Sequence, residues 1–198
     1  MIHEKMKYLV YEGGIMLVLH GKKCILRPLR VDDATDLARL IENMEGRENI
    51  RVVFPTSEEE LARWIEGLYR KKVPRDIVFA IEVEGTLIGT VSLHDINWTS
   101  RHGTLTIAIY RSDYRGRGIG TEATSLILDY AFDLLNLHRV KLEVYEYNKT
   151  ALHIYEKLGF VKEGVWRSQR YLRGKYYDVV LMGILKDEWY KRREELGI

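Results

Sequence analysis

Cysteine is nearly missing from this chain: Cys24 is the only one in 198 residues. A lone thiol forms no internal disulfide and no thiolate cluster for zinc, so no metal is expected and a reducing compartment, the cytoplasm, is. Long apolar runs are missing as well. The opening stretch from Met1 to Leu19 is interrupted by Glu12, Gly13 and Gly14. Nothing in it approaches the roughly 20 residues that a membrane span requires, and it carries no targeting signal. Strong charge of one sign is also lacking, because 31 basic and 29 acidic residues leave a net charge of +2 and a pI near 8.5. That balance is too mild for a nucleic-acid binder built on a basic stripe. Glutamine is reduced to Gln169 while Lys, Arg and Glu abound, a bias seen in proteins from hot environments.

What remains is the composition of a folded domain, 46% hydrophobic and 30% charged, long enough for one core and short for two. Residues 1–22 read as an extension, within which Met16 offers a second start, and the domain runs over 23–198. Cys24 to Leu29 reads as a strand, and Ala34, Leu37, Ala38, Ile41 and Met44 follow helical spacing. After a loop with Pro55, Ser57 and Glu60 predict a capping box. The stripe Leu61, Trp64, Ile65, Leu68 and Tyr69 then predicts a second helix, with Trp64 in the core. Strands over 77–83, 87–94 and 104–110 form an antiparallel meander through the Glu84-Gly85 turn. Helical spacing returns at Ala123, Ile127, Tyr130, Ala131 and Leu134, followed by a strand through Val140, Leu142 and Val144. A helix over 149–158 then stops at Gly159. Two more strands, 161–171 and 176–185, precede a charged helix over 186–196 that reads as a solvated face.

The chemistry concentrates between Ile107 and Thr121, where a strand feeds the glycine-rich turn Arg115-Gly116-Arg117-Gly118-Ile119-Gly120 at a helix start. Glycines let the backbone approach closely, and the free N–H groups and positive dipole end of a helix favour an anion such as a pyrophosphate. A P-loop is excluded, since no Gly-Lys-Ser/Thr follows at the required spacing. A dinucleotide fold prefers G-x-G-x-x-G with an acidic residue about 20 positions on, whereas the chain has G-x-G-x-G and offers Asn136 and Leu137 there.

Arg115-x-x-Gly118-x-Gly120 instead resembles the coenzyme A signature of the GNAT superfamily of N-acetyltransferases. Asn148-x-x-Ala151-x-x-x-Tyr155-x-Lys157-x-Gly159-Phe160, about thirty residues on, resembles its second motif. Leu26-Arg27-Pro28-Leu29-Arg30, Asp32-Asp33-Ala34 and the ending Tyr177 to Met182 are similar to the branch with ribosomal-protein and polyamine acetyltransferases. The resemblance spans roughly 23–190. It implies an α/β (α+β) fold, a splayed, mostly antiparallel mixed sheet of about seven strands flanked by helices. It also implies that acetyl-CoA inserts its pantetheine arm as an extra strand beside Ile107, Ala108 and Ile109. Arg115, Gly116, Arg117, Gly118, Ile119, Gly120 and Thr121 would hold the pyrophosphate, Asn148 would touch the cofactor, and Tyr155 would stand near the sulfur.

The phenol of Tyr155, with a reference pKa near 10, suits protonation of a departing thiolate whose conjugate acid lies near about 8.5. The base stays open among Glu82, His94, Asp95, Glu143 and Glu146, because Gly103-Thr104-Leu105-Thr106 offers no carboxylate. His94 and Asp95, as strand neighbours, face opposite ways, so a solvated surface is the simpler reading of that pair. Trp98, in a polar loop, reads as a substrate contact, and Cys24, far along the chain from both motifs, suggests no covalent route. The acceptor is a primary amine, with protein N-termini, polyamines and small molecules all compatible, and the assembly is a monomer or a homodimer. Two alternatives stay open: a non-catalytic acyl-CoA-binding or regulatory module, and a nucleic-acid-associated protein using Arg167, Arg170, Arg173 and Lys175.

Overall fold

Alternating apolar positions in the middle of the chain build a meander of β4 (Ile77–Val83), β5 (Thr86–Asn97) and β6 (His102–Ile109), each antiparallel to the next. This computed structural model describes residues 6–11, 14–42 and 56–198. Among the described residues β1 (Met6–Tyr11), β2 (Gly14–His20) and β3 (Ile25–Pro28) extend the meander on one side. On the other side β7 (Arg139–Tyr145), β8 (Val161–Leu172) and β9 (Lys175–Leu185) complete a sheet of order β1-β2-β3-β4-β5-β6-β7-β9-β8. Nine strands replace the expected seven because residues 1–22 are not set apart from the sheet. Gly14–His20 pairs with β3, and Val18 and Leu19 are buried.

Helices cover both faces. On one face α1 (Asp33–Glu42) and α2 (Glu58–Leu68) pack Leu37, Leu61 and Ile65 against Val78 and Ala80. Ser57 Oγ accepts from Glu60 N–H at 3.2 Å and caps α2, one half of the predicted capping box, while Met44 and the loop with Pro55 lie outside the described residues. Trp64 corrects the reading of that helix. It is 43% exposed, because only the Leu61–Ile65 row meets the sheet and Trp64 falls on the flank of the stripe.

The opposite face carries the larger core. There α3 (Ile119–Asp129), the π-helical turn Tyr130–Leu134, α4 (Lys149–Lys157) and α5 (Lys186–Leu196) pack against Leu93, Leu105, Val140 and Leu142. The charged helix α5 is therefore not wholly solvated. Trp189 is fully buried and donates from Nε1 to Asp129 Oδ1 at 3.0 Å, and Tyr190 and Arg193 reach Asp133. One apolar anchor and an acidic pair on the facing helix override its polar composition.

Candidate active site

Among the described residues seven of the eight strand pairings are antiparallel; that of β6 with β7 is the exception. They pair in parallel over only three positions, ending at Thr104 opposite Lys141, and then part. Residues 105–109 and 142–145 therefore flank a gap in the sheet. Ile107, Ala108 and Ile109, expected to hold an inserted arm, form one lip of that gap.

The glycine turn stands at the end of the β6 lip. Gly116 and Gly118 adopt left-handed backbone, with φ of +73° and +80°, a region that other L-residues enter only at a cost. Alternation of such residues with ordinary ones turns successive N–H groups to one side, the concavity that binds anions. Gly118 immediately precedes α3 and no side chain caps its first turn, so the early N–H groups there keep their capacity for an outside acceptor. A Cβ placed on Gly116 or Gly120 meets nothing, so the space before the helix is open. Positive charge surrounds it: the guanidinium groups of Arg111 and Arg117 both lie over the ring of Tyr114, at 5.2 and 5.3 Å.

Arg115 spends its guanidinium differently from the expectation of a phosphate contact. Its Nε and Nη2 donate to the Ile109 carbonyl at 3.0 and 2.9 Å, which staples the turn to the end of β6. Two groups that sequence reasoning missed support the turn from below. Lys23 Nζ donates to the Arg117 carbonyl at 2.8 Å, and the Glu122 carboxylate accepts from the N–H groups of Lys22, Lys23 and Cys24 at 2.7 to 3.0 Å. Only a chain reversal brings positions 23 and 122 together, so no local signal could reveal them. The same contacts correct the placement of Cys24, which is distant in sequence but adjacent in the fold. Burial, reinforced by Glu122, pushes its thiol up to about 12, so it is a protonated packing residue.

Asn148 caps α4, its Oδ1 accepting from Ala151 N–H at 3.2 Å. Two turns later Tyr155 is 8% exposed, meets Phe160 edge-on at 5.6 Å, and packs in the same cluster as Leu105, Ile107 and Val144 from both lips of the gap. Burial pushes its phenol up to about 12.

The candidate bases separate. Glu82 is ion-paired with Arg27 at 2.5 Å, and Glu146 accepts from Asp178 N–H at 2.9 Å. Asp95 lies 3.6 Å from Arg75 and does not meet His94. His94 instead contacts Ser92 Oγ through Nε2 at 2.7 Å and Asp76 through Nδ1 at 3.5 Å. Ser92 was legible in principle, since residues two apart on a strand share a face. Glu143 is exposed on β7. Trp98 is corrected from substrate contact to a fastening, since its indole N–H donates to the Pro74 carbonyl at 2.9 Å and its ring packs on the core. The cationic cluster lies on the outermost hairpin. Arg170 stacks over Tyr145 there, while Arg167, Arg173 and Lys175 are exposed. A depression of about 380 Å³ lined by Val165, Trp166, Arg167 and Gln169 belongs to that edge rather than to the gap.

Among the described residues no helix is long and apolar enough to cross a membrane, and no group of three or more His, Cys, Asp or Glu could hold a metal ion. The model of the acetyltransferase (GNAT) domain family matches residues 23–161. A spermidine N(1)-acetyltransferase of Vibrio cholerae is 34% identical over 169 residues, covering 84% of this chain and 96% of that protein. One of Escherichia coli is 31% identical over 176 residues, covering 87% and 91%. The crystal structure of the Vibrio cholerae spermidine N-acetyltransferase in complex with CoA and spermine superposes with a TM-score of 0.77 at 30% identity, covering 86% of this chain and 99% of that one.

Proposed function

Because the chain belongs to the GNAT acetyltransferase family, and is therefore an acetyl-CoA-dependent N-acetyltransferase, we propose that its acceptor is a primary amine of a polyamine such as spermidine. The observation that carries the cofactor end of this reading is the gap between β6 and β7, closed at one end by the Thr104–Lys141 pair and met at the other by the glycine turn. A diphosphate seated on the N–H groups of residues 116–121 leaves the pantetheine arm extended along Ile107 to Ile109, pairing with an open strand edge as a peptide would. Asn148 lies on the far lip, at the start of α4. The acceptor end rests on the relatives named for spermidine and on two carboxylates that suit a polycation, the exposed Glu143 on β7 and the half-exposed Asp76 beside β4.

The reaction is direct attack. The amine nitrogen adds to the thioester carbonyl carbon, and the intermediate collapses with cleavage of the C–S bond while Tyr155 gives its proton to the leaving sulfur. Burial keeps that phenol protonated at any neutral pH, which a proton donor requires. A panel of spermidine, spermine, a lysine derivative and a peptide with a free N-terminus, read by release of free coenzyme A, tests the acceptor. The polyamines are expected to give the highest kcat/KM. Preference for the peptide would move the reading to protein N-termini, and no release with any amine would favour a binding module.

A further inference from the structure

On the face of the sheet opposite Tyr155, three polar side chains stand in line. Ser92 and His94 are two apart on β5 and share a face, and Asp76 precedes β4 at the position that the Ile77–Leu93 register sets opposite His94. The contacts follow: Asp76 Oδ1 to His94 Nδ1 at 3.5 Å and His94 Nε2 to Ser92 Oγ at 2.7 Å. Ser92 is 5% exposed, and its Oγ also lies 3.4 Å from the Thr106 carbonyl. The line therefore runs from a half-exposed carboxylate to the backbone of β6.

Its place in the fold gives it meaning. His94 is paired with Thr104, which forms the last pair before β6 leaves β7, and Ser92 is paired with Thr106 just past that vertex. A cofactor gripped at 116–121 and extended along β6 must bring its thioester toward the vertex, since Ile109 to Thr104 spans about 16 Å of strand. Cross-strand neighbours stand about 5 Å apart at Cβ, which puts Ser92 and His94 one strand spacing behind Thr106 and Thr104, within reach of that end through a bridging water. The charged groups around His94 are Asp76, the Arg75–Asp95 pair, and Lys141 and Glu143 on the same face of β7.

We propose that His94 is the proton acceptor of acetyl transfer, reached through the Ser92 hydroxyl, with Asp76 as a positioning residue that holds the ring by Nδ1–H. The inference rests on the acetyl-transfer reading above. The bound ammonium gives one proton, through a water, to Ser92 Oγ as the hydroxyl passes its own to Nε2, and the imidazolium later releases it to solvent. The neutral nitrogen then attacks and forms the C–N bond. The C–S bond breaks as Tyr155 protonates the sulfur, and the second proton, carried by the attacking nitrogen, makes good the Tyr155 phenol.

The test is kcat and KM of the full chain with spermidine at pH 7.5 and 9.5. An aliphatic amine of pKa about 10.4 is neutral in roughly one molecule in 800 at the first pH and one in nine at the second. His94→Gln should lower kcat about a hundredfold at pH 7.5, fall to less than tenfold at pH 9.5, and leave the acetyl-CoA KM unchanged. Asp76→Asn and Ser92→Ala should show the same pH pattern with smaller losses. An equal loss at both pH values overturns the proposal, as does a pH-dependent loss in Glu143→Gln but not in His94→Gln. Wild-type turnover, read first, tests the acetyl-transfer reading by itself. Nitrogen-15 NMR of the imidazole is independent of turnover: the Nδ1–H tautomer is expected in the wild type and a mixture in Asp76→Asn, and an Nε2–H tautomer in the wild type overturns the arrangement.

Discussion

At the scale of the residue, burial suits Tyr155 to the proton-donor role proposed for it. Removed from water, the phenol holds its proton up to about pH 12, so its ionisation contributes no alkaline limb to the rate across an ordinary assay range. The sign follows from the raised value: the donor is intact below its folded pKa and is lost only as pH rises through it. Tyr155→Phe keeps the ring against Phe160 and removes the proton. We expect kcat to fall by roughly a hundredfold or more with the acetyl-CoA KM within about twofold, and steady-state kinetics at pH 8 check both. The helix that carries Tyr155 was legible because Asn148 and Gly159 frame it at fixed spacing. Trp64 was not, because a periodic stripe shows which residues share a helix side but not how wide a strip the neighbouring sheet covers.

Elements set the geometry that single residues use. The glycine turn needs Gly118 twice over, for its left-handed backbone and because a Cβ there would stand 2.6 Å from Lys23 Nζ. Gly118→Ala should therefore tilt the first turn of α3 and dislodge Lys23. Acetyl-CoA KM should rise by about tenfold or more while spermidine KM stays close to wild type, as titration of each substrate would show. The turn was readable from sequence because a glycine turn at a helix start depends on contiguous residues. The Asp76–His94 contact was not. In a hairpin running unbroken from the Glu84-Gly85 turn, Asp76 would oppose Leu93 and face the other way. The extra residue Ile88 between Leu87 and Gly89 shifts the register by one and brings Asp76 to His94. A bulge inside an apolar run leaves no mark in composition or periodicity.

For the whole molecule, stability rests on junctions between distant segments. Arg27 is buried between Asp33, which it meets through both Nη atoms at 2.7 and 2.8 Å, and Glu82. Burial raises the Asp33 carboxyl, but the bonds from Arg27 and the Arg30 N–H outweigh it and hold the group below the usual carboxylate range. Its folded pKa is depressed, so its stabilisation is present above the unfolded value near 3.9 and is lost as pH falls through the folded one. Asp33→Asn should cost about 3–5 kcal/mol at pH 7 and flatten the loss of stability below about pH 4, measurable by urea unfolding at both pH values. The fold class, the order of elements from β3 onward and the glycine turn were legible because they follow local pattern. The seating of Trp189 and the support of the turn by Lys23 and Glu122 were not, since each joins segments far apart in the chain; the hairpin of β1 and β2 is local, and the sequence shows it only as an extension. The parting of β6 from β7 has one more effect. Past Thr104 the two strands no longer pair with each other, an inner margin in a sheet whose outer margins are β1 and β8, and such margins recruit stray strands. A ligand lying in that seam acts as a suture: at a hundred times its Kd it adds about 2.7 kcal/mol against unfolding. Starvation for the cosubstrate would thus shorten the protein's working lifetime as well as its turnover.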